Sequence, residues 1–357
     1  MARVLLAMSG GIDSSASAVL LRRAGHDVTG VFMRHGIAST VPAKPGKQGC
    51  CSLEDSYDAR RVADLLSIPF YTLNFEKPFE KIVDYFVAEY DRGATPNPCI
   101  ICNRDLKFGK LFEYADAIGA EYVATGHYAR VEARGGRTAL LKGLDARKDQ
   151  SYVLFPLGQR ELARVMFPVG GHEKPEIRRL AAEAGLRIAE KPESMEICFV
   201  PDNDHRRLLR ERLGDRLQDG EFRARDGRVL GTHGGHQLFT IGQRKGLGEA
   251  FGRPMYVVGI EPESNVVVLS EEDEKNREFR ARGVNWVSTE ARACDASVKI
   301  RSMHAGATAR TGSASRSRSR SARSRRDRRR SSTRETRSWA GDGSSRPLRP
   351  WAARASS

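Results

Sequence analysis

Arg3-Val-Leu-Leu-Ala-Met-Ser-Gly-Gly-Ile-Asp-Ser-Ser15 joins an unbroken apolar run to a glycine turn and then to a helical pattern. A run with no polar interruption reads as a strand covered on both faces. Gly10 and Gly11 let backbone N–H groups turn toward an anion, and the helix that follows adds the positive end of its dipole. Ser9, Ser14 and Ser15 supply hydroxyls that can bond phosphate oxygens. The expected phosphate cradle is therefore Ala7, Met8, Ser9, Gly10, Gly11, Ile12, Asp13 and Ser14. Asp13 would repel a bare phosphate, so its expected part is to hold Mg²⁺ beside one. No Gly-Lys-Ser/Thr follows, which excludes a Walker A loop. The plain alternative is a glycine turn that caps a helix.

Outward from this loop, short apolar runs alternate with helical patterns over the first 200 residues. Strands are expected at Arg3–Met8, Asp27–Met33, Pro69–Phe75 and Glu121–Thr125. Helices are expected at Ala16–Arg23, ended by Gly25, at Pro78–Tyr90 and at Phe108–Ile118; another runs from a capping box at Ser52–Asp55 to about Leu66. The alternation predicts an α/β, doubly wound parallel sheet, with ligands beyond the carboxyl ends of its strands. Met33 ends the second strand, where a backbone amide can meet a nucleotide base. Gly126 and His127 end the fourth, where a glycine permits close approach. Singly, Met33 would be core and His127 structural; their convergence with the loop on one crevice favours binding.

From about Pro201 the pattern becomes short strands between glycine turns: Arg228–Leu230, His236–Ile241, Met255–Ile260 and Val266–Leu269. Residues 1–200 are therefore read as a catalytic domain, 201–280 as a small β-rich domain, and 281–307 as the start of a further β segment with strands at Ala281–Val287 and Ser297–Met303. Residues 308–357 are Arg/Ser-rich and too poor in aliphatic side chains to fill a core. The formal net charge of +15 is misleading as a nucleic-acid signal. Arg310–Ser357 holds 15 Arg against 3 acidic residues, which leaves the other 309 residues at about +3.

Six cysteines stand at Cys50, Cys51, Cys99, Cys102, Cys198 and Cys294. With no secretory pattern and no membrane-spanning apolar run, a reducing, cytoplasmic setting is expected, and the thiols serve chemistry or metal rather than a disulfide framework. Cys99 and Cys102 lie in a proline loop, Thr95-Pro-Asn-Pro-Cys-Ile-Ile-Cys-Asn103. Cys198 lies in Ser194-Met-Glu-Ile-Cys-Phe-Val200. A cysteine between Ile197 and Phe199 would by itself be read as a small buried apolar residue. Three thiols also suffice for an iron–sulfur cluster.

The loop Ser9–Ser15 resembles that of the ATP pyrophosphatase (PP-loop) superfamily. Several further segments resemble the bacterial tRNA-specific 2-thiouridylases: Pro96-Asn-Pro98 with Cys102-Asn103, Thr125-Gly-His127, Lys148-Asp-Gln-Ser-Tyr152, Glu196-Ile-Cys-Phe199 and Phe239-Thr-Ile-Gly-Gln-Arg-Lys-Gly-Leu-Gly248. The likeness spans about residues 1–303. It implies an adenine nucleotide alpha hydrolase-like fold ending in a β-barrel, and ATP-dependent thiolation of the wobble uridine of tRNA. It further implies that Cys198 bears a persulfide, that Cys102 is the second catalytic thiol, and that the two close a Cys102–Cys198 disulfide. Asn97, Pro98 and Cys99 map beside the target base. His127, Lys148, Asp149 and Gln150 map to tRNA contacts, and Arg244 and Lys245 sit in a glycine loop suited to RNA phosphates. The implied partners are tRNA, through its anticodon loop, and a sulfur donor such as a cysteine desulfurase or sulfur relay protein.

Two rival readings stand beside this one. Another PP-loop synthetase, amidating or argininosuccinate-forming, would need no paired thiols. A non-catalytic RNA-binding protein would depend on its Arg/Ser tail and ignore Asp13. The tail is either a basic RNA-binding extension or the product of a shifted reading frame, which is favoured because the strand set begun at Ser297 is not continued. The thiouridylase reading requires two sulfur atoms able to reach the base beside the triphosphate loop, and Cys102 on the far side of the sheet from Asp13 would count against it.

Overall fold

Leu5 and Leu6 are fully buried yet face opposite ways, as a strand sandwiched between two helical layers requires. They lie in β1 of a computed structural model that describes residues 1–36, 53–191, 197–200, 202–272, 278–281, 283–290, 292–299, 306–311 and 320–324. Cys50, Cys51, Ser52, Ser194–Glu196 and Met303 lie outside the described residues.

In chain order the first elements are β1 (Arg3–Ala7), α1 (Ile12–Arg23), β2 (Asp27–Arg34), α2 (Leu53–Leu65), β3 (Phe70–Asn74), α3 (Glu76–Asp91), α4 (Pro98–Ile101), a π-helix (Cys102–Lys110), α5 (Leu111–Ala117) and β4 (Tyr122–Ala124). A hairpin of β5 (Ala129–Arg134) and β6 (Arg137–Lys142) follows, then α6 (Gln159–Leu162), β7 (Val165–Met166) and α7 (Lys174–Glu183). The five strands of the main sheet pair in parallel in the order β3-β2-β1-β4-β7. This is the expected α/β, doubly wound fold. The order reverses between β1 and β4, the switch point where such sheets bind ligands.

Each face of the sheet has its own core. Val4, Leu6 and Met8 pack with Ile12, Ala16 and Val19 of α1, Val62 of α2 and Ile177 of α7. Leu5 packs with Phe79, Ile82, Val83 and Phe86 of α3 and with Ile100, Leu106 and Phe108. That second core continues into the β-rich region through Phe222, Val257, Val267 and Leu269.

The β-rich region is α8 (His205–Leu213) followed by a sheet of β8 (Gly220–Ala224), β9 (Val229–His233), β10 (Tyr256–Glu261) and β11 (Val266–Ser270), ordered β10-β11-β8-β9. His236–Ile241, expected as a strand, instead begins with a 3₁₀ turn at His236–Leu238. The side chains explain the change. His236 bonds Asn265 Oδ1 and the Asp91 carbonyl, and Gln237 donates to Asp91 Oδ1, so polar contacts to α3 replace a strand ladder. The proline loop is corrected too. Asn97 caps α4 by accepting from the Cys99 N–H, Pro98 takes the first helical turn, and helix runs on through Cys102.

Residues 1–275 with 285–290 form one compact unit, and 276–284 with 291–357 form a second. In the second, β12 (Glu278–Ala281), β13 (Asp295–Val298), β14 (Ala307–Thr311) and β15 (Arg320–Ser324) make an antiparallel sheet in the order β12-β15-β14-β13. Strand pairing thus extends past Thr308, where the apolar pattern ends. No described helix is long and apolar enough to cross a membrane.

Candidate active site

Gly10, between β1 and α1, has φ +71°, and a Cβ there would lie 2.2 Å from the Asp55 carbonyl oxygen of α2. Only glycine fits that turn. Gly11 is the N-cap of α1 and brings no capping side chain, so the first-turn N–H groups are left to an anion at the helix dipole. The serines are more committed than the sequence suggests. Ser14 and Ser15 are buried, and both hydroxyls donate to the Gly11 carbonyl; Ser14 Oγ also accepts from the Ser9 N–H. They brace the loop, while Ser9 stays exposed.

Asp13 has two neighbours that its local sequence does not announce. Its Oδ1 accepts from Lys174 Nζ at 2.6 Å and from the Tyr128 hydroxyl at 2.9 Å. Lys174 is buried at the start of α7 and Tyr128 follows β4. A lysine at a helix N-terminus opposes the dipole, and that anomaly is the signal by which Lys174 could have been singled out. A buried ammonium needs a partner, and Asp13 is one. The expected Mg²⁺ role of Asp13 therefore meets a carboxylate oxygen already shared by an ammonium and a phenol.

Gly126 matters for a different reason from the expected one. A Cβ there would lie 2.7 Å from the Ser14 N and 2.9 Å from the Asp13 carbonyl carbon. The close approach is to the loop's own backbone, which β4 presses against. The next residue points elsewhere. The His127 ring lies 6.1 Å from the rings of both Phe108 and Phe167, and its Nδ1 is 2.7 Å from Thr125 Oγ1. Burial, with a smaller push from Lys107, holds its pKa well below the ordinary 6.5, so the ring is neutral at pH 7. Because Phe108 belongs to the π-helix that starts at Cys102, Gly126 and His127 link the phosphate loop to the cysteine-bearing helix.

The two thiols share one face. Cys102 and Cys198 both pack against the α3-side core, as do Ala7 and Met33 at the carboxyl ends of β1 and β2. The body of α1 packs on the opposite face. The helix that carries Asp13 and the two thiols thus pack with cores on opposite faces of the sheet, where a single crevice would put them on the same side. Cys102 and Cys198 are partly buried thiols, and Cys99 is exposed. Phe199 anchors the Cys198 turn edge-on against Phe79 and Phe86, with centroids 5.8 and 5.3 Å away. No group of three His, Cys, Asp or Glu side chains among the described residues is arranged to hold a metal, so Cys99, Cys102 and Cys198, the less favoured cluster set, are not gathered as one there.

A chain of hydrogen bonds braces the two halves. Asn103, beside Cys102, donates to the Val153 carbonyl; the Val153 N–H donates to the Gln150 carbonyl; and Gln150 Oε1 accepts from the Tyr128 N–H. Asp149 Oδ1 accepts from the Gly143 and Ser151 N–H groups. The segment Lys148–Gln150, expected at tRNA, is therefore also a strut between Cys102 and Asp13. In the β-rich region Arg244 and Lys245 are exposed. Gln243 holds their loop by donating to the Lys245 and Gly246 carbonyls. With Leu247, Arg253 and Met255, Arg244 borders an open concavity of about 560 Å³.

Comparison with known proteins finds two family models along the chain. The tRNA methyl transferase HUP domain family matches residues 2–202, and the tRNA methyl transferase PRC-barrel domain family matches 206–271. A tRNA-specific 2-thiouridylase of Geotalea uraniireducens is 49% identical over 85% of this chain and 82% of its own. Those of Heliobacterium modesticaldum and Carboxydothermus hydrogenoformans are 50% and 51% identical, over 80% and 76% of this chain and 74% and 75% of theirs. Among solved structures, a 4-thiouridine synthetase bound to RNA and ATP shares 19% identity at a TM-score of 0.35, covering 60% of this chain and 51% of that one. At about half identity across most of both sequences, the chain belongs to the tRNA-specific 2-thiouridylase family.

Proposed function

We propose that this enzyme is a tRNA-uridine 2-sulfurtransferase that consumes ATP. The uridine C2 oxygen attacks the α-phosphorus, pyrophosphate leaves, and C2 now carries AMP as a leaving group. The terminal sulfur of a Cys198 persulfide attacks C2 and AMP departs. The Cys102 thiolate then attacks the Cys198 sulfur, which breaks the S–S bond, leaves 2-thiouridine and closes a Cys102–Cys198 disulfide. An external thiol reduces that disulfide, and a cysteine desulfurase or relay protein reloads the persulfide.

The first-turn N–H groups of α1 and Ser9 would take the triphosphate, and the backbone at Met33 the adenine. Mg²⁺ would arrive with ATP and offset phosphate charge. The target base, already unpaired in the anticodon loop, costs little to extrude. Asn97, Pro98 and Cys99 would flank it. Lys148, Arg244 and Lys245 would bind RNA phosphates, while His127, Asp149 and Gln150 would act on RNA through the backbone they shape.

One observation supports this reading above others: consecutive residues, Gly126 and His127, touch the phosphate loop and the Cys102-bearing helix respectively. An amidating synthetase has no use for that link. The decisive experiment incubates the full chain with ATP, a persulfide donor and unmodified tRNA, then analyses nucleosides by mass. The expected product is 2-thiouridine, with AMP formed in equal amount. Methylated uridine from a methyl donor, without thiolation, would favour the activity named in the family's domain descriptions.

A further inference from the structure

Two routes of hydrogen bonds run from the turn Asp145–Gln150 to the phosphate loop, and both end on one atom, Asp13 Oδ1. The first passes through Tyr128. Gln150 holds the backbone of that residue at both polar groups: its N–H donates to the Tyr128 carbonyl at 2.9 Å, and its Oε1 accepts from the Tyr128 N–H at 3.0 Å. The Tyr128 side chain is buried, and its hydroxyl donates to Asp13 Oδ1 at 2.9 Å. The second route passes through Lys174. The buried Asp145 accepts from the Lys174 N–H through Oδ2 at 3.2 Å and from the Arg147 N–H through Oδ1 at 3.0 Å, while its carbonyl accepts from the Lys148 N–H. Lys174 Nζ then donates to Asp13 Oδ1 at 2.6 Å.

Hydrogen bonds fix direction as well as distance. The turn therefore cannot shift without re-aiming two donors at the same oxygen. Asp13 lies in the first turn of α1, where the N–H groups await an anion. The Lys174 side chain is enclosed at 8% exposure, whereas that of Asp13 keeps 31%, so the carboxylate is the accessible end of the pair. The turn itself carries Lys148, Asp149 and Gln150, the residues read above as the RNA-contacting segment. A segment for RNA and a loop for triphosphate thus share one carboxylate oxygen.

We propose that Tyr128 and Lys174 are positioning residues that make binding of tRNA at the Asp145–Gln150 turn and of ATP at the phosphate loop mutually reinforcing. A turn steadied by RNA keeps both donors aimed at Asp13, and a loop steadied by triphosphate keeps Asp13 in place for them. Each ligand then meets a site that the other has already ordered. The proposal rests on the ATP and tRNA reading above. Its consequence is that ATP is held tightest when the base to be adenylated is present.

The test measures binding of α,β-methylene-ATP, which resists cleavage between the α and β phosphorus atoms, to the full chain with and without saturating unmodified tRNA. The wild-type chain should bind it at least about fivefold tighter with tRNA present, and tRNA affinity should rise by the same factor when the nucleotide is added, because coupling is reciprocal. Tyr128→Phe removes one hydroxyl and keeps the ring, and it should cut that factor at least about twofold. Tyr128→Phe combined with Lys174→Met should bring the factor to within about twofold of one. The ratio is taken within each protein, so a general weakening of either site cancels, and a merely structural role would leave it unchanged. A wild-type factor within about twofold of one would overturn the proposal, and so would a Tyr128→Phe or double variant that keeps the wild-type factor. If the double variant does not fold, Tyr128→Phe decides alone. A wild-type chain that binds both ligands with this coupling yet makes no 2-thiouridine would refute the proposed function instead, and one that thiolates without coupling would refute this inference alone.

Discussion

The phosphate loop and the cysteine-bearing segments are built on opposite principles. The loop is gripped by backbone: α2 closes on Gly10 and β4 closes on Ser14, each too tightly for a methyl group. The cysteines stand where side chains do the holding, Cys102 at the start of a π-helix tied by Asn103, and Cys198 on a turn anchored by Phe199. A triphosphate cradle gains from rigidity, because its donors must be preorganised. The proposed sulfur relay would need two thiols to approach and part, and side-chain anchors and π-helical turns leave room for that.

This contrast can be broken most directly at the thiols. Cys102→Ser and Cys198→Ser should each cut thiolation by at least roughly 10³-fold, as loss of a nucleophile does, while ATP binding stays within twofold. Nucleoside mass analysis beside ATP titration would read both. If either serine enzyme keeps appreciable activity, the cysteines are not the relay.

The loop should fail through stability instead. Gly10→Ala combines a positive φ with a backbone clash and should cost about 2–4 kcal/mol in urea denaturation. Gly25→Ala, which has a similar φ of +77° but open space around it, should cost about 1 kcal/mol. Equal costs would mean that the contact with Asp55 is not tight.

The Arg244/Lys245 loop sharpens the comparison from outside. Replacing both by Ala should make the salt dependence of tRNA binding shallower by roughly 1.5–2 in log–log slope and leave ATP binding alone. Filter binding across salt concentrations would show it, and an unchanged slope would remove both residues from the interface.

The smallest effect concerns His127, at the joint between the two regions. Its folded pKa lies below the ordinary 6.5, so below that pH the unfolded chain takes up a proton that the native ring refuses. Stability should fall with decreasing pH beneath about 6.5, by at most about 1.4 kcal/mol per pH unit, and recover above it. His127→Gln should flatten the profile measured by urea titration, and a parallel profile would mean that the ring is accessible to protons.

Much of this was legible in sequence because it is local. The apolar run Val4–Met8, the two glycines and the helix behind them specify a strand, an anion-binding turn and a dipole through neighbouring residues alone, and alternation of apolar runs with helical patterns implies the doubly wound sheet. Four things were not legible. The helical run through Pro98–Lys110 was hidden by prolines that serve as caps. The strand at Val165–Met166 is too short to leave a pattern. The 3₁₀ turn at His236 depends on Asp91, far away in the chain. The partners of Asp13 and Gly10, namely Lys174, Tyr128 and Lys191, come from elements more than a hundred residues downstream.

Sequence alone determined the family resemblance and where the glycine turn between β1 and α1 lies, since residue identity and short-range backbone preference suffice for both. Tertiary structure alone decided which side chains guard the loop and which face holds the sulfur atoms. Burial makes every charge find a partner, and the partner is chosen by proximity in space, which spacing along the chain does not encode.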